Sequence, residues 1–246
     1  MARGLRSQPV AMRAHDTRQR RNHAGFTLVE LMIVVAMISA LATFGAPLFS
    51  QFFDNLRLKG AARETADALR LARIEAIRTQ VPHIVFLSAA AAGDPPATDP
   101  AGNPLPIDPA TGNLAPVPVL IVRDDTDNCQ IDVADPQTEI HAKANVAWGS
   151  AVSGGISVGT DIGLPDHSTG SSFMTPARGP ATWVVFGADG VPVAFDGACT
   201  PNWGNVGSGG GAIYLTNGRR DYAIVMSPLG SVRVHFWQEG TATWSN

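Results

Sequence analysis

The sequence predicts an α+β protein, with one long N-terminal helix, transmembrane in its first half, packed on an antiparallel β-sheet head. Three observations lead there. An apolar run from Phe26 to Phe53 carries no charge before Gln51 except Glu30, and roughly 20 such residues suffice to span a bilayer as a helix. From Asp54 to Gln80 the composition turns to Ala, Leu, Arg and Glu, all good helix formers. Beyond Pro82 short β-type runs alternate with Gly, Pro, Asn and Asp. A chain of 246 residues suits one such helix plus one head.

Residues 1–25 hold Arg3, Arg6, Arg13, Arg18, Arg20 and Arg21 against a single acid, Asp16, and no sustained apolar stretch. A secretory signal places its apolar core before the cleavage site; here the candidate cut, after Gly25, precedes the core. The arginines hold this end in the cytoplasm, so the C-terminal part faces outward. Residues 26–80 form the helix, membrane-spanning to about residue 50. A carboxylate inside hydrocarbon costs ~3 kcal/mol unless paired, so Glu30 calls for a cationic partner in the membrane or in an assembly. In the second half Leu58, Ala62, Thr65, Leu69, Ala72 and Ala76 recur at alternating spacings of four and three, one apolar stripe that reads as the domain's own core. Pro82 disfavours helix at Val81 and ends the element.

The head covers residues 81–246. His83–Ser88 reads as a strand, residues 89–118 with eight prolines as an exposed insertion, and Val119–Arg123 as the next strand. Residues 149–180 read as loop with one strand around Ile156–Val158. The clearest strands come late: Trp183–Phe186, Val191–Phe195, Ala212–Thr216, Asp221–Met226 and Ser231–Trp237. Turn residues separate them at Ala188-Asp189-Gly190, Asn217-Gly218 and Pro228-Leu229-Gly230. The head carries six basic residues and 15 acids, a net of −9, whereas residues 54–80 carry six basic residues and four acids. Such a head is a poor general partner for nucleic acid or anionic lipid.

Gly25-Phe26-Thr27-Leu28-Val29-Glu30-Leu31-Met32 resembles the class III signal of type IV prepilins and type II secretion pseudopilins. The resemblance implies a pilin-like fold. It also implies that a prepilin peptidase cuts after Gly25 and methylates Phe26, that Glu30 pairs with a neighbouring subunit's free amine during assembly, and that Pro47 kinks the helix. The physics is consistent, because a buried carboxylate wants a cation and the new N-terminal ammonium of another helix is one.

A narrower resemblance rests on Phe186-Gly187-Ala188-Asp189-Gly190, on Gly211-Ala212-Ile213-Tyr214-Leu215-Thr216-Asn217-Gly218, and on Tyr222 through Gly230. These look like the GspH/FimT family of minor pilins and minor pseudopilins. It implies a subunit that is inserted in the inner membrane with a periplasmic head and then joins a type IV pilus, at its tip, or the pseudopilus of type II secretion. Its partners would be the prepilin peptidase, other pilins or pseudopilins and the inner membrane. Some members bind DNA through a Gly-Arg-x-Arg element. Here the matching stretch is Gly230-Ser231-Val232-Arg233, which lacks the first arginine, and Arg219 and Arg220 on the preceding turn are the residues that could compensate in a DNA receptor.

Cys129 and Cys199, the only cysteines, lie in the predicted periplasmic head, where an even count points to one disulfide. Asp124, Asp125, Asp127 and Asn128, with Asp132 and Asp135, raise Ca²⁺ binding, but the loop lacks the turn glycine and bidentate glutamate of an EF-hand and reads as a solvated acidic loop. The five tryptophans read as core and edge packing. No nucleophile elbow, no His-Glu-x-x-His and no phosphate-binding loop occurs, and no metal or cofactor is expected. The expectation is a structural subunit and not an enzyme.

Overall fold

The computed structural model describes residues 26–87, 119–125, 135–140, 143–164, 170–181, 183–194 and 204–245, without the side chains of 44–48 and 139. The chain divides into two compact units, Met1–Pro47 and Leu48–Asn246. One helix, α1 (Leu28–Thr79), begins in the first and ends in the second.

In the first unit Thr27 caps the helix, its hydroxyl accepting the Glu30 N–H at 3.2 Å while its carbonyl accepts the Leu31 N–H at 3.1 Å. From Leu28 to Leu41 the large apolar side chains are exposed on every side of the helix, Leu41 to 73%. A helix with no polar face is made for apolar surroundings. Its hydroxyls are satisfied internally: Ser39 donates to the Val35 carbonyl and Thr43 to that of Ser39, each at 2.8 Å. Among the described residues no helix is long and apolar enough to cross a membrane. The described side chains of this half stop at Thr43, short of the roughly 20 residues a crossing needs.

In the second unit the expected stripe is the core. Leu58, Ala62, Thr65, Leu69, Ala72 and Ala76 are all buried, with Ala61, Ala66 and Ala68 beside them. Alanines let the helix approach closely, and a buried leucine such as Leu69 contributes about 2 kcal/mol over an exposed one. The helix ends on Gln80, in the left-handed region at φ 57°, and Pro82 prevents its continuation.

Among the described residues ten strands form two five-stranded antiparallel sheets. The first orders β3 (Gln137–Ile140), β2 (Val119–Arg123), β1 (His83–Leu87), β5 (Trp183–Phe186) and β6 (Pro192–Val193). The second orders β10 (Thr243–Trp244), β9 (Val232–Gln238), β8 (Asp221–Met226), β7 (Gly211–Thr216) and β4 (Ala147–Trp148). One core joins the helix stripe to Val85, Leu87, Ile121 and Phe186 of the first sheet and to Ile213, Leu215, Ile224 and Met226 of the second. A smaller cluster of Val158, Ala212, Tyr214, Ala223 and Val225 lies on the other face of the second sheet.

Several elements differ from expectation. Residues 156–158 form no strand: Gly154 and Gly155 both take positive φ, and the Val158 N–H turns to the Tyr214 hydroxyl at 3.3 Å instead of to a ladder. Of the strand expected at Val191–Phe195, Pro192–Val193 pair with β5, while Phe195 lies outside the described residues. The β7–β8 connection is four residues, Asn217 to Arg220, closing the Thr216–Asp221 pair. There Gly218 alone has positive φ, and the Asn217 side-chain oxygen accepts the N–H groups of Arg219 and Arg220. On β9 Val232, Val234 and Phe236 share one face, yet Val232 is buried and Phe236 is 45% exposed. Strands β3, β4 and β10 were not expected; β3 reads Gln-Thr-Glu-Ile and the other two are two residues long.

Two turns share one design. Ala188-Asp189-Gly190 joins β5 to β6 and Pro228-Leu229-Gly230 joins β8 to β9. In each the glycine N–H bonds back three residues at 2.8 Å and the glycine sits at φ 72° or 78°. The Arg73 guanidinium donates to both glycine carbonyls, at 3.1 Å to Gly190 and 3.2 Å to Gly230. Arg70 adds a bond to the Val232 carbonyl at 2.9 Å. A Cβ on Gly190 would lie 2.5 Å from the Ile77 side chain, so the turn admits no larger residue without displacement.

Candidate functional site

The residue sequence reasoning weights most, Glu30, lies in the first turn of α1, three residues past the Thr27 cap. That Thr-x-x-Glu spacing is a capping-box signature present in the sequence itself. A carboxylate there is favoured by the positive end of the helix dipole. It is exposed, and no cationic group pairs with it among the described residues. Phe26 precedes the cap and is 79% exposed. A cut before Phe26 would therefore set an ammonium one residue ahead of a capped, all-apolar helix carrying one carboxylate. Gly25 lies outside the described residues, as does the side chain of Pro47, where the backbone is helical.

The second unit holds a groove of about 560 Å³ between α1 and the β8–β9 face, lined by Lys59, Arg63, Arg70, Arg220, Tyr222 and Phe236 with Val234. The Tyr222 and Phe236 rings face each other across the strands, 6.3 Å apart between centroids. Arg70 also bonds Asp67 at 2.7 Å. Lys59, Arg63 and Arg220 have no ion pair among the described residues, whereas Arg57 pairs with Asp54 and Arg78 with Glu75. Arg219 lines an adjoining hollow with Arg220 and Trp237. Arg233 is not brought to them. It pairs with Val225 in register, so strand alternation sets it on the face opposite Tyr222 and Phe236. The three expected arginines thus form no single cluster, and Arg220 instead joins cations from the helix. No linear spacing could reveal that grouping, because Arg63 and Tyr222 meet only in the fold.

Residues 20–46 match the prokaryotic N-terminal methylation motif. The match includes Gly25, Phe26 and Glu30 and ends one residue before Pro47. It supports a type IV pilin- or pseudopilin-like subunit, processed by a prepilin peptidase and assembled with other pilins. No curated protein and no solved structure matches the chain.

The other candidate residues separate. Cys129 and Cys199 lie outside the described residues, as do Asp127, Asn128 and Asp132. Asp125 is held by Arg123 through two bonds of 2.7 Å, which lower its carboxyl pKa. Asp124 and Asp135 are buried, and among the described residues no three His, Cys, Asp or Glu side chains are placed to hold a metal. His83 and His235 sit in different sheets, each bonded through Nδ1 to a backbone carbonyl. Burial pushes the His83 pKa down. Trp148 and Trp183 pack against the main core, and Trp244 contacts both Trp237 and Tyr214 edge-on. Burial and the 2.7 Å bond to Asp161 raise the Tyr214 pKa, so this phenol stays protonated.

Proposed function

We propose that this chain is a minor pilin or minor pseudopilin, a structural subunit and not an enzyme, that joins a type IV pilus through its N-terminal helix. In this reading it enters the inner membrane with its arginine-rich leader in the cytoplasm and its head in the periplasm. The sequence carries the apolar run past Thr43 to Phe53, which completes a span. The peptidase cuts after Gly25, Phe26 is methylated, and Glu30 draws the ammonium of another subunit into register. Pro47 bends the helix, and Cys129 and Cys199 close a disulfide in the oxidising compartment. The observation that carries this reading is a helix apolar on all sides with one carboxylate in its first turn, within a matched methylation motif. A head at the pilus tip that helps start assembly fits the GspH/FimT-like glycine turns.

The same turns favour a second reading, a tip subunit of the type II secretion pseudopilus. Deleting the gene and scoring surface pili and exported proteins in parallel tests both. Sparse pili with normal export is the expected result; normal pili with exported proteins trapped in the periplasm would move the assignment to secretion. Loss of neither would sink the assembly role. A filament-borne DNA receptor has less support, since Arg233 lies apart from Arg219 and Arg220 and the head carries a net −9.

A further inference from the structure

We propose that the groove between α1 and the β8–β9 face receives a carboxylate-bearing segment of the head of a second copy of this chain. The inference deepens the assembly reading by naming one contact between subunits. Four cations and two aromatic rings converge on the groove, and Lys59, Arg63 and Arg220 are left without an ion pair among the described residues. Elsewhere α1 uses its charges internally: Arg57 and Arg78 pair with acids of their own helix, and Arg73 is committed to two carbonyls. Two α1 cations without an ion pair among the described residues, Lys59 and Arg63, thus both line this groove.

The complementary charge is on the same chain. The head carries 15 acids against six basic residues, so a second copy offers the opposite sign, and like regions repel while unlike regions attract. Anchoring two copies side by side by their helices raises the local concentration of one head at the other's groove. Tyr222 and Phe236 supply the apolar floor that exposed ion pairs lack, which excludes water and strengthens the contact. A nucleic acid strand would also suit cations and rings, but it would meet the repulsion of the remaining acids over the head. A pair of copies suffices, so the contact does not require an abundant subunit.

The chain provides its own test. Lys59 and Lys143 are its only lysines, and Lys143 is bound to Glu64 of its own chain at 2.7 Å. A zero-length carbodiimide, which couples amines to carboxylates in contact, should join Lys143 to Glu64 within a chain as the internal control. In assemblies of full-length light and nitrogen-15-labelled chains it should also join Lys59 to an Asp or Glu of the head across copies. Arg63→Ala with Arg220→Ala should cut the Lys59 product between copies at least tenfold while leaving the Lys143 product unchanged. A Lys143 product without any Lys59 product overturns the proposal, and so does a Lys59 product abolished by a single-stranded oligonucleotide that itself binds the groove. Filaments without the Lys59 link sink this inference and leave the assembly reading standing. The link between copies in detergent, without filaments in cells, does the reverse.

Discussion

From Leu28 to Thr43 the side chains of α1 are almost all apolar and exposed around the full circumference, whereas from Leu58 to Ala76 an apolar stripe is covered by the sheets and the rest of the surface mixes charged residues with a few exposed apolar ones, Leu71 and Ile74. Both halves are helical, yet they are stabilised by different things. The second half is held by its own sheets: the alanine stripe sits on them and arginines bond to their turns. The first half, apolar on every side, is suited to surroundings made of lipid or other helices. Helix formation alone therefore says nothing about where an element's free energy comes from; the distribution of side chains around it does.

The widest separation between the halves should come from Glu30→Ala. Removing one partner of a buried charge pair costs about 3 kcal/mol or more, so incorporation into filaments should fall over 100-fold, while thermal melting of the head stays within a degree. Equal loss of melting temperature would break the contrast. The mirror experiment is Leu69→Ala, a cavity in the head core that should cost about 2–5 kcal/mol. Chemical denaturation would show this as a lower midpoint, and processing by the peptidase should proceed as before.

Arg73→Ala should cost about 2 kcal/mol, because two buried-side carbonyls lose charge-assisted bonds; Arg73→Lys should recover only part, since an ammonium cannot fork across both turns. A pH scan gives a smaller effect. Burial keeps His83 neutral in the fold, so the unfolded chain binds its proton more readily. Stability should hold above about pH 6.5 and decline below it, by no more than about 1.4 kcal/mol per pH unit. Asp125, lowered by Arg123, enters only below about pH 4, where its contribution is lost. His83→Gln should flatten the slope between these limits; an unchanged slope would reassign it. Last, Thr27→Ala should cost about 1 kcal/mol of helix stability at the N-terminus, read as faster amide exchange in the first turn with the head unaltered.

The helix and the late strands were legible because their signals are local. The stripe from Leu58 to Ala76, the stop at Pro82 and the glycine turns each need only a few neighbouring residues. Strand β3 was not, since Gln-Thr-Glu-Ile shows no apolar alternation and pairs only because β2 offers an edge. The apparent strand at Ile156–Val158 failed for a related reason. Its residues are bound instead by a polar network in which Asp161 accepts from the Tyr214 and Ser172 hydroxyls, partners more than ten residues away. At the site, Glu30 stood out from composition alone. The grouping of Arg220 with Lys59 and Arg63 depends on how a turn between two strands meets a helix some 160 positions earlier, and no sequence window holds both.

The paired glycine turns carry a mechanical consequence. One turn belongs to the first sheet and the other to the second, and both hang from the Arg73 guanidinium. Tension drawn along α1 thus reaches both sheets at this rigid planar group, within two helical turns of the helix end, as well as through the packed stripe. To separate one sheet from the other at that point, a load would have to break an Arg73 hydrogen bond, so the clamp couples the two sheets under tension.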